Sequence, residues 1–193
     1  MDEQITVHLK AWGRTLSTGI SVSRSYLSWF ESCMSWPVGI TCEAVVVVPI
    51  AHTYNSSWVY KRYVPMGVRS KTVMRQFDMG ATGMCNAEKS VLENAQAELK
   101  EELGLELPED YKYRRFSPGE EGFTMIVHLF TFDIYDDRPK QTSPDDTFKR
   151  IDWVELDPEM INMWMVANAK TDEIGRNTKL IMPNNWECLK KLE

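Results

Sequence analysis

The sequence predicts an α/β (α+β) fold in which a mixed β-sheet is sandwiched between helices. Three observations predict it. The segment CEAVVVVPI at positions 42–50 contains a continuous run of β-branched residues, which indicates a strand that is buried on both faces. Apolar residues then recur at every fourth position between Ala87 and Leu103, which is typical of a helix. Further segments follow, so that the order along the chain is strands, helix, strands, helices.

The composition is that of one globular domain. The chain has 193 residues, of which 43% are hydrophobic and 26% charged, and its formal net charge is -6. This charge argues against a protein that coats nucleic acid. The four cysteines form no CxxC pair and indicate reduced thiols rather than a disulfide framework. Because neither a secretory leader nor an apolar run of membrane length is visible, we expect an intracellular, cytoplasmic protein.

The first half of the chain supplies the predicted hairpin. Residues 1–40 are interpreted as an N-terminal extension of unknown role, in which SYLSWFESCMSW predicts an amphipathic helix that ends at Pro37. After the strand at 42–50 come a turn, HTYNSS, and a second strand, SWVYKRYV, which pairs with the first. We expect an irregular loop at 64–75 and then a short strand, RQFDMGATGM, that glycines interrupt.

The predicted helix carries one apolar stripe, formed by Val91, Ala95, Leu99 and Leu103, and Gly104 supplies its end. The later elements are expected in this order: a long strand TMIVHLFTFDIYD, an acidic link DDRPKQTSPDD, a strand FKRIDWVEL, and the helices PEMINMWMVAN and NNWECLKKLE. The strands would complete the sheet, and the helices would cover its faces.

Three glutamates on this helix are candidate metal ligands. Glu98, Glu101 and Glu102 are related as i, i+3 and i+4, so their side chains converge on one face. Mg²⁺ and Mn²⁺ prefer oxygen ligands, and a few carboxylates are the usual contribution of the protein. An ordinary solvated helix surface is the alternative interpretation.

Seven residues resemble the Nudix box, a loop-helix-loop motif that here spans 23 residues. They are Gly83, Glu98, Leu99, Glu101, Glu102, Gly104 and Leu105. The preceding hairpin and the following strands extend the resemblance over roughly residues 40–165. It implies a Nudix domain at 41–193 that ends in helices. The segment RQFDMGATGM resembles the isopentenyl-diphosphate-isomerase-like branch of that family.

The box is degenerate at two positions. The family pattern has a glutamate where this chain has Lys89 and an arginine where it has Ala97. In members of the family that arginine helps to orient the glutamates, so its loss removes a partner of the metal site. Isomerases of the similar branch have a histidine at the position of Met84, and this chain has three histidines in all. We therefore do not expect isomerase activity.

The resemblance implies a Mg²⁺- or Mn²⁺-dependent hydrolase of a diphosphate bond in a nucleoside diphosphate derivative. Glu98, Glu101 and Glu102 would hold the metal ions and act in catalysis, and Glu121 would supply a further catalytic carboxylate. Three other loop carboxylates are rivals for that last role: Glu120, Asp145 and Asp146.

Four residues are predicted to bind substrate. Arg62 and Lys61 would contact phosphate oxygens, because cationic side chains form charge-assisted hydrogen bonds with them. Gly83 belongs to the box, and Phe77 would stack on a nucleobase. Surface charge and core packing are the alternatives for the basic and the aromatic residues, respectively. His128, within an apolar strand, is interpreted as a satisfied core histidine.

A binding module is the second hypothesis for the whole chain. It would recognise a nucleotide, an RNA end or a protein partner with weak or no catalysis, and the changes at Lys89 and Ala97 motivate it. The expected partner is a small-molecule nucleotide or another diphosphate. No membrane partner is expected, nucleic acid is expected only as an RNA end, and a homodimer stays open.

Overall fold

The computed structural model describes residues 4–11, 14–23, 38–54, 57–70, 77–116, 124–135, 147–168 and 191–192. The helix predicted at 25–36 and most of the helix predicted from NNWECLKKLE lie outside these residues. The four loop carboxylates named above also lie outside them: Glu120, Glu121, Asp145 and Asp146.

One mixed sheet contains the strands of the described residues. They are β1 (Gln4–Ala11), β2 (Arg14–Ser23), β3 (Val38–Tyr54), β4 (Tyr60–Arg69), β5 (Phe77–Met79), β6 (Ala81–Met84), β7 (Lys112–Phe116), β8 (Thr124–Ile134) and β9 (Phe148–Glu155). The helices in the same part of the chain are α1 (Val91–Leu103) and α2 (Pro158–Asn168). Neither of them is long and apolar enough to cross a membrane. The predicted α/β (α+β) class is confirmed.

Strand β3 lies at the centre of the sheet. It pairs in parallel with β8 and antiparallel with β1, β4 and β6. Strand β2 extends the sheet beyond β1, β5 and β9 pair with β4, and β7 pairs with β8. The predicted hairpin of β3 and β4 is therefore confirmed, although residues 52–54 of the expected turn still belong to β3.

The alternation of side chains along β3 divides the core into two layers. Val46 and Val48 point to the face where Ile161 of α2 packs, which we call the α2 face. Val45 points to the opposite face, where Leu99 of α1 packs, which we call the α1 face. Because the strand is buried on both faces, its continuous apolar run needs no polar alternation.

Helix α1 begins and ends as its sequence predicts. The hydroxyl of Ser90 accepts the Glu93 N–H, and the Glu93 carboxylate accepts the Ser90 N–H, which forms a capping box. Gly104 ends the helix in the left-handed conformation, with φ of 66°. Buried Asn94 accepts the Asn86 N–H and donates to the Asn86 carbonyl, so the loop that precedes the helix is fixed to its first turn.

The prediction of an irregular loop at 64–75 is wrong for residues 64–69, which belong to β4. Pro65 and Gly67 favour a loop, but β4 pairs here with both β5 and β9 and its residues are buried. Tertiary pairing thus overrides local propensity. Gly67 is required by packing, since a Cβ there would overlap the ring of Phe148.

Strands β1, β2 and β7 were not foreseen from the sequence pattern. Strand β1 pairs with residues 38–42 of β3, and Ile5 and Val7 are buried. Part of the N-terminal region therefore belongs to the same sheet as the rest of the chain. Its role and the boundary at residue 40 stay predictions.

Candidate functional site

Glu102 is the most deeply buried of the three predicted metal ligands. Its side chain is only 3% exposed, and its Oε2 accepts the Thr82 N–H of β6 at 2.7 Å. Burial raises the pKa of this carboxyl to about 8 against the lowering effect of the Thr82 hydrogen bond, and the nearby charges of Asp78 and Glu98 raise it further. A buried carboxylate with two anionic neighbours is a place where a cation would be stabilised.

Glu98 lies one turn before Glu102, against the backbone of Gly83. A Cβ at Gly83 would overlap the Glu98 carboxylate, so the glycine provides the space that this carboxylate occupies. Strand β6 therefore positions both glutamates, by a hydrogen bond at Thr82 and by the missing side chain at Gly83. Gly83 and Glu98, two residues of the predicted box that are 15 positions apart in the chain, are therefore in direct contact.

Asp78 adds a third carboxylate to this group. It is fully buried, and its Oδ2 accepts a hydrogen bond from Arg69 Nη1 at 2.6 Å. Arg69 also lowers the pKa of Glu102, so its positive charge offsets part of the negative charge of Asp78, Glu98 and Glu102. We call these three carboxylates the acidic group. The sequence pattern does not identify Asp78 as a site residue, because its signal is a single acidic residue within a short apolar strand.

Glu101 is placed differently from the other two glutamates. It is exposed, whereas Glu98 is half-buried and Glu102 is buried. Helical spacing brings the three to one side of α1, but packing against β6 divides that side into a buried part and a solvated rim. At the two degenerate positions, Lys89 is exposed and Ala97 is half-buried.

The predicted substrate-binding residues do not meet at one place. Arg62 pairs with His52 of β3 and lines a cavity with Ile50, a residue of the α2 face. It is therefore on the opposite face of the sheet from the acidic group. Lys61 forms a 2.5 Å ion pair with Glu155. Phe77 is fully buried in the α2-face core, where its ring packs edge-on against Trp164.

The cavity beside Arg62 has a volume of about 850 Å³. Its lining is rich in cations and aromatic rings, namely Arg62, Lys112, Arg114, Lys191, Tyr60 and Tyr135. Asp133 also lines it and binds two of its neighbours, at 2.9 Å to Lys112 and at 2.6 Å to His52. The cavity combines positive charge with exposed ring surface, which suits an anionic aromatic molecule.

A third group of polar residues lies beside the acidic group on the α1 face. Cys85 is 2% exposed, and burial raises the pKa of its thiol to about 12, helped by the charges of Glu43 and Glu98. In the metal-free protein such a thiol is protonated and is not a nucleophile. His128 is also buried, and burial lowers the pKa of its imidazole.

Solved structures share this architecture. The NUDIX domain of Shewanella oneidensis NrtR, in a complex with ADP ribose, is 9% identical and has a TM-score of 0.52 over 86% of this chain and 95% of that chain. A bifunctional NMN adenylyltransferase/ADP ribose pyrophosphatase from Francisella tularensis is 16% identical, with a TM-score of 0.52 over 87% of this chain. DR0079 from Deinococcus radiodurans is 17% identical, with a TM-score of 0.50 over 88% of this chain and 94% of that chain. The chain has the Nudix fold.

At these identities the likeness establishes the Nudix fold and not an activity. No protein-family model matches the sequence, and no curated protein matches it either. The alignment covers 44% of the Francisella chain and 51% of a MutT/nudix family protein from Enterococcus faecalis, so this chain spans about half the length of those two proteins. Helix α1 of this chain carries Glu98, Glu101 and Glu102, the glutamates of the predicted box.

Proposed function

We propose that the protein hydrolyses a diphosphate bond in a nucleoside diphosphate derivative with the help of Mg²⁺ or Mn²⁺ held by helix α1. The observation that carries this proposal is the acidic group itself. Glu98 and Asp78 both raise the pKa of buried Glu102. A divalent cation bound at Glu102 would relieve the repulsion between its carboxylate and these two anionic neighbours.

The residues present fit a hard divalent cation. They offer carboxylate oxygens, which are the ligands that Mg²⁺ and Mn²⁺ prefer. Glu98 and Glu102 would hold the cation, and Glu101 would contribute from the exposed rim of the helix. When bound, the cation would neutralise charge on phosphate oxygens and lower the pKa of a water molecule.

The chain's own groups prepare the site for this chemistry. The Thr82 N–H fixes one oxygen of Glu102 and leaves its other oxygen for a ligand. Gly83 lets the Glu98 carboxylate approach the backbone of β6. Arg69 holds Asp78 in an ion pair. One of the glutamates, or a loop carboxylate such as Glu121, would accept the proton of the attacking water.

Two proteins of the same fold support the proposal through their known ligands. The Shewanella oneidensis domain was solved with ADP ribose. A bifunctional NMN adenylyltransferase/ADP ribose pyrophosphatase from Francisella tularensis, with a TM-score of 0.51 and 15% identity, was solved with AMP and a Mn ion. Nucleotides with a diphosphate bond are therefore the first substrates to try.

The test is a calorimetric titration with Mn²⁺, with and without a panel of nucleoside diphosphate derivatives, in which released products are measured in parallel. We expect Mn²⁺ binding and product release in the unmodified protein and the loss of both in Glu98→Gln and Glu102→Gln. Glu106→Gln is the matched control, because it removes an exposed glutamate beyond the end of the helix. Unchanged turnover in Glu102→Gln would overturn the proposal.

A second candidate function is nucleotide recognition without turnover. The cavity on the α2 face favours it, because its basic and aromatic lining is separated by the sheet from the acidic group. In that case Arg62 would bind phosphate and Tyr60 would contact the base. Binding that Arg62→Gln abolishes and Glu102→Gln leaves intact, with no product released, would favour recognition over hydrolysis.

A further inference from the structure

Three chemically different ligand groups meet on the α1 face. Glu43 lies on β3, Cys85 directly follows β6, and His128 lies on β8. One ligand atom of each residue lies within 4.8 Å of the ligand atoms of the other two. The three residues are far apart in sequence, so only the pairing of β6 and β8 with β3 brings them together.

The imidazole of His128 is hydrogen-bonded at one ring nitrogen, and its other ring nitrogen faces Glu43. Its Nδ1 shares a 2.8 Å hydrogen bond with the Tyr113 hydroxyl, and the two rings are stacked at a centroid distance of 6.0 Å. Its Nε2 is buried and makes no short hydrogen bond, and the carboxylate of Glu43 lies at ion-pair distance from it. The expectation of a core histidine with satisfied hydrogen bonds is therefore met at Nδ1 and not at Nε2.

The second ring nitrogen of His128, Nε2, faces the carboxylate of Glu43. His128 Nε2 lies 3.5 Å from Glu43 Oε2, which is too long for a good hydrogen bond between a ring nitrogen and a carboxylate. It is, however, the separation of two ligands on one tetrahedral zinc, since zinc–ligand bonds of about 2.0–2.3 Å place neighbouring ligands roughly 3.3–3.8 Å apart. The Cys85 sulfur completes the set, in which the three ligand atoms all lie within 4.8 Å of one another.

We propose that Glu43, Cys85 and His128 form a binding site for Zn²⁺ or a similar transition-metal ion. Cys85 would bind as the thiolate and release its proton to solvent when the ion enters. Sulfur and imidazole nitrogen are ligands that zinc accepts readily and that Mg²⁺ avoids. The site therefore differs in chemistry from the acidic group, which offers oxygen alone. Tyr113 is a positioning residue, because its hydroxyl fixes the His128 ring with Nε2 toward the metal.

The ligand number gives the site a further property. Three protein ligands leave the fourth position of a tetrahedral zinc for water or for an oxygen or sulfur atom of a small molecule. Structural zinc sites have four protein ligands, whereas three with an open position are typical of catalytic sites. The cluster is therefore a place where an exchangeable ligand would bind, next to Glu98.

The first experiment uses the full chain loaded with Co²⁺ and, separately, with Zn²⁺. We expect one ion per chain at this site, a thiolate-to-cobalt charge-transfer band and the visible bands of tetrahedral Co²⁺. X-ray absorption of the zinc protein should show one sulfur neighbour at about 2.3 Å and nitrogen or oxygen neighbours at about 2.0–2.1 Å. No bound ion, or zinc without a sulfur neighbour, would overturn the proposal.

The variants identify which cysteine is involved. Cys85→Ser should abolish the charge-transfer band, and Cys42→Ala should keep it. Cys42 is a fair control because it is also buried and precedes Glu43 on the same strand, so its side chain points to the other face. A band that survives in folded Cys85→Ser would refute the assignment.

A variant at the positioning residue keeps the test decisive if Cys85→Ser does not fold. Tyr113 is 47% exposed, so Tyr113→Phe should fold normally. Its zinc affinity should fall by about 10–100-fold, as is usual when the hydrogen-bond partner of a ligating histidine is lost. Unchanged affinity would count against the site.

Glu102→Gln separates this proposal from the hydrolase. That variant should lose the Mn²⁺ response of helix α1 and keep the cobalt spectrum. Loss of the cobalt spectrum in Glu102→Gln would mean that both ions use the acidic group, which would refute a separate zinc site.

Discussion

Glu102→Gln should make the metal-free protein more stable near pH 8. In the folded protein the Glu102 carboxyl is buried, and its pKa is raised to about 8 from an ordinary 4.5. Glutamine has nearly the same shape, keeps an oxygen that can accept the Thr82 N–H, and cannot ionise. The substitution therefore removes the cost of a buried charge without removing the hydrogen bond.

The size and the sign of the effect follow from proton linkage. Between pH 5 and pH 8 the folded protein keeps a proton on Glu102 that the unfolded chain has released. The free energy of unfolding therefore falls as the pH rises through this window, by about 3.5 kcal/mol at most for a pKa of about 8. At ~2–4 °C per kcal/mol for a chain of this size, the melting temperature would fall by about 7–14 °C.

The assay is thermal unfolding in the presence of a chelator, followed by circular dichroism at several pH values from 5 to 8. The unmodified protein should lose stability steeply over this range, and Glu102→Gln should lose much less. Glu101→Gln is the matched control, because it removes the same charge from an exposed position one residue earlier. It should follow the unmodified protein.

Mn²⁺ supplies the second arm of the same experiment. A cation that binds the folded state at a hundred times its dissociation constant adds about 2.7 kcal/mol. The unmodified protein should regain stability near pH 8 when Mn²⁺ is added, and Glu102→Gln should not. Parallel pH curves for the unmodified protein and Glu102→Gln would refute the reasoning, because they would show that the Glu102 charge is not penalised by the fold.

Three other substitutions test the acidic group and the helix that carries two of its members. Gly83→Ala should displace the Glu98 carboxylate and weaken Mn²⁺ binding by about 10-fold or more in a calorimetric titration, with an unfolding free energy within ~1 kcal/mol of the unmodified protein; unchanged affinity would contradict the contact. Arg69→Met should lower the unfolding free energy measured in urea by ~3–5 kcal/mol, because it leaves the Asp78 charge buried without its cation; a loss below ~1 kcal/mol would show that the pair is not needed. Ser90→Ala should cost ~1 kcal/mol in the same urea assay through the lost cap of α1, and an unaffected midpoint would argue against the capping box.

The sequence pattern predicts the helix of the site and two of its carboxylates, Glu98 and Glu102. The recurrence of apolar residues and the glycine at position 104 predict α1 and its end, because local hydrogen bonds and one buried stripe determine a helix. The resemblance to the Nudix box also implies that Gly83, Glu98 and Glu102 act together. It does not show that Glu102 would be buried and Glu101 exposed, since that depends on how β6 packs against α1.

The residues that the sequence pattern missed are those brought in by distant pairing. Asp78 joins the acidic group through β5, and Glu43, Cys85 and His128 meet through three strands. Arg62 and Phe77 could be identified as a cation and an aromatic residue near the box, but which face of the sheet they occupy follows from the register of β4 and β5. A shift of one residue in that register would move each side chain to the other face.

The sequence by itself determined the class of the fold, the central buried strand and the glutamate helix, because these depend on periodicity and on residues near one another in the chain. Only the tertiary structure decided that β4 continues through Pro65 and that β1 belongs to the sheet. It alone also decided that Asp78 and Glu98 lie near buried Glu102 and that Arg62 lies on the opposite face of the sheet. Strand pairing joins residues of large sequence separation, and a one-dimensional pattern carries little information about that pairing.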